Sequence, residues 1–209
     1  MTCNLKYIFI VITTAFVTQS LNAQNIKPSR FEKAWALKHI FVANKAKKIS
    51  KEASTTSLQI KENKILDFDD NGGFIDAFRH SYWMARLTQE IGQKKAIKLG
   101  VAHEKKNYKD FKKRISTTHD SVSIQMDLLN NQIGSQIGIE YKELPKEKLI
   151  ELIVQQVKNG NMFIIQKDTL HNSLDINGNI INNADWQGIY VNKRCLIKSK
   201  YPFTCIQKK

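Results

Sequence analysis

Apolar residues recur at intervals of three and four over most of this chain, a spacing that lines one face of a helix with side chains able to share a core. Phe31, Trp35, Val42, Ala46 and Ile49 form the first stripe and predict a helix to about Ser50; Ser29 with Glu32 three residues on is a capping-box pair at its start. Residues 51–71 lose the stripe and predict an irregular connection with a short helix near Leu58–Ile65. A second stripe runs from Phe74 to Ile91 and stops at Gly92, and a helix from Gln93 to about Lys106 follows, then a basic connection from Lys105 to Arg114. Val122 to Ile139 carries Met126, Leu129, Ile133 and Ile137 on one side. Leu144-Pro145-Lys146-Glu147 opens the last helix, which continues through Val157 to an Asn159-Gly160 stop.

Beyond Gly160 the period changes. Met162 to Ile165 is a short β-prone run, Asn177-Gly178 between apolar flanks predicts a hairpin, and Gly188 to Val191 predicts one more strand. The fold class is therefore mainly α: a single-domain helical core of about five helices with a small C-terminal β-hairpin region. Four segments follow: 1–23, 24–70 with the N-terminal helix and connection, a helical core at 71–160, and a short-strand tail at 161–209.

Residues 1–23 hold Lys6, an apolar run from Tyr7 to Val17 and then Leu21-Asn22-Ala23. That order predicts a signal peptide cut after Ala23, hence an exported protein, periplasmic or secreted. The run falls short of the roughly 20 residues a spanning helix needs, so no transmembrane segment is expected in the mature chain. Cys3 leaves with the signal. Cys195 and Cys205 remain, and in an oxidising compartment they are expected to form a disulfide, the alternative being two unpaired thiols.

Gly (9) and Pro (3) are too scarce for a collagenous, linker-rich or disordered chain. Lys and Arg (33) outnumber Asp and Glu (19), for a net charge of +14. An excess of that size attracts an anionic polymer or lipid surface, although lysines spread along the chain are also what a plain solvated surface looks like.

The candidate chemistry sits on three consecutive helices. Asp76 and His80 are four apart and share a face, with Arg79 and Trp83 alongside. That pair can ligate a metal together, or the carboxylate can orient the imidazole; an Asp–His pair packed beside Trp83 on a helix surface has the same spacing. His103 and Glu104 follow, His103 on the face of Ala96, Leu99 and Gly100; the zinc-protease H-E-x-x-H is absent. Asp127, Asn130, Asn131 and Gly134 line a polar face, and two asparagines inside a helix run against propensity. Serine-hydrolase, P-loop and dinucleotide fingerprints are missing. Asp67-Phe-Asp69-Asp70-Asn71-Gly72 opens like a calcium loop, but Phe78 stands where its bidentate Glu is required, so an acidic turn capping the next helix is expected instead.

Asp76-Ala-Phe-Arg-His-Ser-Tyr-Trp83, Ala102-His-Glu104 and Met126-Asp-Leu-Leu-Asn-Asn131 together resemble an uncharacterised bacterial domain of unknown function with the signature D-A-F-R-H-x-Y-W, H-E and M-D-L-x-N-N, found in secreted and toxin-like proteins. The resemblance covers roughly Asp69 to Gly160, leaves the N-terminal helix and the cysteine tail outside, and brings no catalytic residues with it.

Burying Asp76, His80, His103, Glu104, Asp127 and Asn131 together requires pairing, water or a cation. A divalent metal held by Asp76, His80, His103 and Asp127 is the economical answer, and mixed N/O ligands suit zinc or manganese better than calcium. His80, His103, Glu104 and Asp127 are then the catalytic candidates, with Arg79, Trp83, Asn130 and Asn131 binding or orienting substrate. The sequence expectation is a metal-dependent hydrolase acting on an anionic or ester substrate. Its rival is a non-enzymatic secreted binding or structural protein whose polar residues form a buried hydrogen-bond network. An open cleft over His80 and His103 favours the first, full burial with every polar atom paired the second. Convergence predicts His80, His103 and Asp127 within ~10 Å, with Arg79 and Glu104 paired close by.

Overall fold

The computed structural model of the protein describes residues 28–200: six helices followed by a two-stranded antiparallel sheet, a mainly α fold. The first helix, α1 (Arg30–Lys38), opens on the capping box, Glu32 N donating to Ser29 Oγ at 3.3 Å and Ser29 N to Glu32 Oε2 at 2.7 Å. The backbone breaks at His39 (φ −134°, ψ 44°), so the single helix expected to Ser50 is two. Helix α2 (Ile40–Glu62) then runs unbroken through most of the expected irregular connection. The buried row Ala46, Ile49, Ala53, Thr56, Ser57 and Ile60 explains why. Its later members are small or hydroxylated, invisible to an apolar count, and Ser54 and Ser57 donate to carbonyls of their own helix, Ser50 O and Ser54 O.

Helix α3 (Phe74–Ile91) is buried nearly all round and packs against α2, every later helix and the first strand, which makes it the central element. Its first amides are held by Asp67, which accepts from Phe74 N at 2.8 Å and Ile75 N at 3.0 Å. The acidic turn thus caps the helix, and Asp69 is turned away to Lys167. Helix α4 (Gln93–Lys112) outruns the expected end at Lys106 because Asn107 and Phe111 continue the buried row of Gly100 and Glu104, so the connection spans only residues 113–120. Helix α5 (Ser121–Glu140) is capped by Asp120, and α6 (Lys146–Lys158) starts after Pro145.

Helices α3 and α5 approach to backbone contact. A Cβ at Gly134 would lie 2.1 Å from Ser81 O, and one at Gly138 2.5 Å from Ala85 O. Only glycine permits this crossing, and it sets how closely the polar faces of the two helices meet.

Strand β1 (Asn159–Ile165) pairs with β2 (Leu196–Lys200) in the register Phe163 to Lys198 and Ile165 to Leu196. The turn at Asn177-Gly178 exists, with Asp175 Oδ1 accepting from Asn177 N and Asn179 N, but it closes a single bridge between Leu174 and Ile180 rather than a two-stranded hairpin. Residues 188–191 form no strand. Their backbone is engaged by the connection before α5, Gly188 N donating to Thr117 O and Tyr190 O accepting from Ser121 N.

The tail is bolted to α5 by a fully buried ion pair. Asp120 Oδ2 accepts from Arg194 Nε at 2.9 Å and Asn192 Nδ2 at 2.6 Å, and the Arg194 guanidinium lies 4.0 Å above the Trp186 ring. Cys195 Sγ donates to Gln166 Oε1; Cys205 and the segment expected to be a signal peptide cut after Ala23 lie outside the described residues. Among the described residues no helix is long and apolar enough to cross a membrane.

Candidate metal centre

Three helical turns contribute the centre. The first turn of α3 carries Asp76, and one turn on, the same face carries His80; the Gly134 crossing brings Asp127 of α5 opposite them. His80 Nε2 lies 3.5 Å from Asp76 Oδ1 and 3.4 Å from Asp127 Oδ1, and one ligand atom from each of the three falls within 4.8 Å of the others. All three residues are buried.

The other ring nitrogen decides the tautomer. His80 Nδ1 faces Asn131 Oδ1 at 3.2 Å; with that carboxamide oxygen accepting, Nδ1 carries the proton and Nε2 turns its lone pair to the two carboxylates. Three acceptors facing one another repel unless a proton on a carboxyl group or a cation sits between them. Protonation of Nε2 would relieve this, but burial, then Arg79 and His103, hold the His80 pKa well below its ordinary value. A metal ligand with its second nitrogen fixed by a carbonyl-type acceptor is the usual arrangement of histidine at a metal. At zinc bond lengths of about 2.0–2.1 Å the edges of a tetrahedron are about 3.3–3.4 Å, close to both His80 distances.

The carboxylates differ in their surroundings. Asp76 Oδ2 accepts from Gly72 N at 2.7 Å and Oδ1 from Arg79, which also donates to Asp70 O. Asp127 Oδ1 has no hydrogen bond. Burial, then the charges of Asp76 and Glu104, push Asp127 well above the usual carboxylate range. Glu104 is raised by burial too; its Oε2 accepts from Asn107 at 3.0 Å while Oε1 is unpartnered, as is Asn131 Nδ2. A buried polar atom left unpaired costs about 1–3 kcal/mol. Two of them belong to residues that face the His80 imidazole, Asp127 and Asn131, and mark a place that can take a further ligand.

Over the centre opens a cleft of about 240 Å³ lined by Asp70, Asn71, Asp76, Arg79, His80, His103, Asn107, Thr118, His119 and Asp127. His103 reaches its wall, with ring centres 6.4 Å from His80 and 5.5 Å from Trp83, but its Nδ1 is engaged by Glu32 Oε1 at 2.9 Å. It is therefore not one of the three clustered ligands, a correction to the four-ligand set. The cause is α1, whose Glu32 draws the imidazole outward. Burial alone would raise Glu32, yet the hydrogen bonds from His103 and Ser29 hold it down to about 2. Arg79 pairs with Asp76 rather than with Glu104.

Of the four expected substrate contacts only Arg79 lines the cleft; Asn131 is set against His80, and the other two lie elsewhere. Asn130 clamps β1, its Nδ2 donating to Phe163 O and its Oδ1 accepting from Phe163 N, both at 2.9 Å. Trp83 Nε1 donates to Ser50 Oγ at 2.9 Å and its indole fills the space behind His80 and His103. Neither lines the cleft. His119, absent from the expected set, does, and burial, then Lys106 and His103, lower its pKa. Its place beside the Asp120 cap was the signal, since the residue before a cap faces the approach to the helix end.

Fold and centre define a helical domain with a buried Asp–His–Asp cluster under an open cleft. The chain belongs to the family described as Domain of unknown function (DUF6973), whose model matches residues 33–161. The matched region takes in all of α2 and most of α1, which the motif resemblance had left outside, and stops before the cysteine tail. No curated protein and no solved structure matches the chain.

Proposed function

We propose that the protein is an exported metal-dependent hydrolase of anionic esters, with Asp76, His80 and Asp127 as the metal ligands. The observation that carries this is Asp127 Oδ1, without a hydrogen bond, 3.4 Å from His80 Nε2 beneath an open cleft. A non-enzymatic packing network would leave neither the cleft nor the orphan atoms. Asp76, Glu104 and Asp127 when ionised carry three negative charges against the one positive charge of Arg79, and a divalent ion supplies the missing two.

The protein ligands come from α3 and α5, and a metal held by them would be reached from the cleft. There it would lower the pKa of a bound water and polarise an ester oxygen. Arg79, His103 and His119 surround that space and suit a phosphoester, Arg79 by its fixed charge and the two imidazoles by moving a proton to the leaving oxygen. Glu104, held by Asn107 behind the centre, balances charge.

The test is metal uptake followed by turnover. Apo protein titrated with Zn²⁺ or Mn²⁺ is expected to bind one ion per chain, with D127A and H80A losing at least about tenfold in affinity at unchanged far-UV circular dichroism. The loaded protein is expected to hydrolyse bis(p-nitrophenyl) phosphate. No uptake at micromolar metal, or uptake indifferent to both substitutions, overturns the centre; uptake without hydrolysis of phosphate or carboxylate esters overturns the enzyme and leaves a structural metal.

A further inference from the structure

The corner between α1 and α2 displays large apolar side chains that nothing in the described residues covers. Leu37 is 77% exposed, Ile40 61% and Phe41 97%, three bulky residues within five positions flanking the break at His39. A soluble surface tolerates such residues singly; three at one projecting corner mark a contact site.

Charge indicates the occupant. Lys33 lies one turn before Leu37 on the same face of α1, and Lys38 sits at the corner itself. Trp35, whose ring is 4.9 Å from that of His39, donates from Nε1 to Lys95 O at 3.1 Å, which brings the start of α4, with exposed Lys94, Lys95 and Lys98, alongside. None of these five lysines forms an ion pair among the described residues. From residue 30 to 51 there are seven Lys or Arg and a single acid, Glu32, which is turned to His103.

We propose that this corner docks on an anionic lipid surface, with Leu37, Ile40 and Phe41 entering the headgroup boundary and the lysines resting on the headgroup charges. Protein interfaces deplete lysine around their apolar centres, whereas a lipid surface rewards apolar anchors ringed by lysine. Phe41, almost wholly exposed, projects like an anchor rather than lining a groove. The proposal does not depend on a metal at the centre, and its test reads no metal and no turnover.

The experiment is vesicle co-sedimentation of the full chain with phosphatidylcholine vesicles, with and without 30% phosphatidylglycerol, at about 0.1 M salt. Wild type and variants are run side by side, so that the apolar segment 7–17 contributes equally to each. Wild type is expected to prefer the phosphatidylglycerol vesicles by at least about tenfold. The triple change L37S/I40S/F41S and the charge change K38E/K94E/K95E are each expected to lose about tenfold or more, with unchanged helicity because every altered side chain is exposed. Equal binding to both vesicles, or a triple variant that binds like wild type, overturns the proposal. So does a concentration-dependent dimer in sedimentation equilibrium that the triple change abolishes while wild type ignores vesicles, since the corner is then a contact between two copies.

Discussion

Replacing Gly134 by alanine isolates the contact that assembles the centre. An ideal Cβ there would stand 2.1 Å from Ser81 O and 2.7 Å from Ser81 C and Cα, all backbone atoms that no rotamer change can move aside. A Cβ essentially never makes a non-bonded contact under 3.0 Å, so α3 and α5 must separate locally by 0.9 Å or more. Overpacking of this kind costs typically about 1–3 kcal/mol, and a rigid backbone obstacle belongs at the upper end. Alanine returns about 1 kcal/mol in helix propensity, so a net loss of about 2 kcal/mol is expected. With a urea m-value of about 2 kcal/mol/M the midpoint falls by about 1 M. The same displacement reaches the centre one turn away, because Ser81 follows His80 and Asn131 precedes Gly134 by three. The 3.2 Å contact of His80 Nδ1 with Asn131 Oδ1 would stretch beyond hydrogen-bond reach, and metal affinity should fall by about tenfold or more. Gln136→Ala, on the exposed side of the same helix, is the control and should stay within about 0.5 kcal/mol. A Gly134→Ala protein with a midpoint at or above that of wild type and unchanged metal affinity would refute the close-approach argument.

Two further outcomes follow from ion pairs outside the centre. Arg194→Met leaves Asp120 buried without its cation and should cost about 3–5 kcal/mol by urea denaturation, whereas the double change with Asp120→Asn should cost clearly less; equal losses would show that the pair matters through packing alone. Glu32→Gln should destabilise the protein by about 1–3 kcal/mol at neutral pH. The folded pKa of Glu32, about 2, lies below its ordinary 4.5, so its stabilisation is present above pH 4.5 and disappears as pH falls toward 2; the gap between wild type and variant should close over that window, and a gap independent of pH would count against the His103 contact as its source.

The mainly helical fold, the capping box at Ser29, the acidic cap before α3 and the stop at Asn159-Gly160 were all legible along the chain, because each depends on residues within one or two turns of one another. So was the pairing of Asp76 with His80, a matter of helical pitch alone. What the sequence could not settle was every choice made across elements. Helices α2 and α4 run longer than their apolar stripes because Thr56, Ser57, Glu104 and Asn107 are buried by neighbours, and a polar residue does not announce which side it will face. Asn130 and Asn131 are adjacent in one helix, yet one clamps a strand and the other orients an imidazole, a division set by the angle at which α5 crosses α3 and β1. His103 read as a ligand until α1 supplied Glu32 from 71 residues away. Local rules determined the helices and the residue types available to a site, because hydrogen bonds and side-chain period act over a few residues; which three side chains meet was decided by the distance at which two helices can pack, and that distance depends on Gly134, a residue with no chemistry of its own.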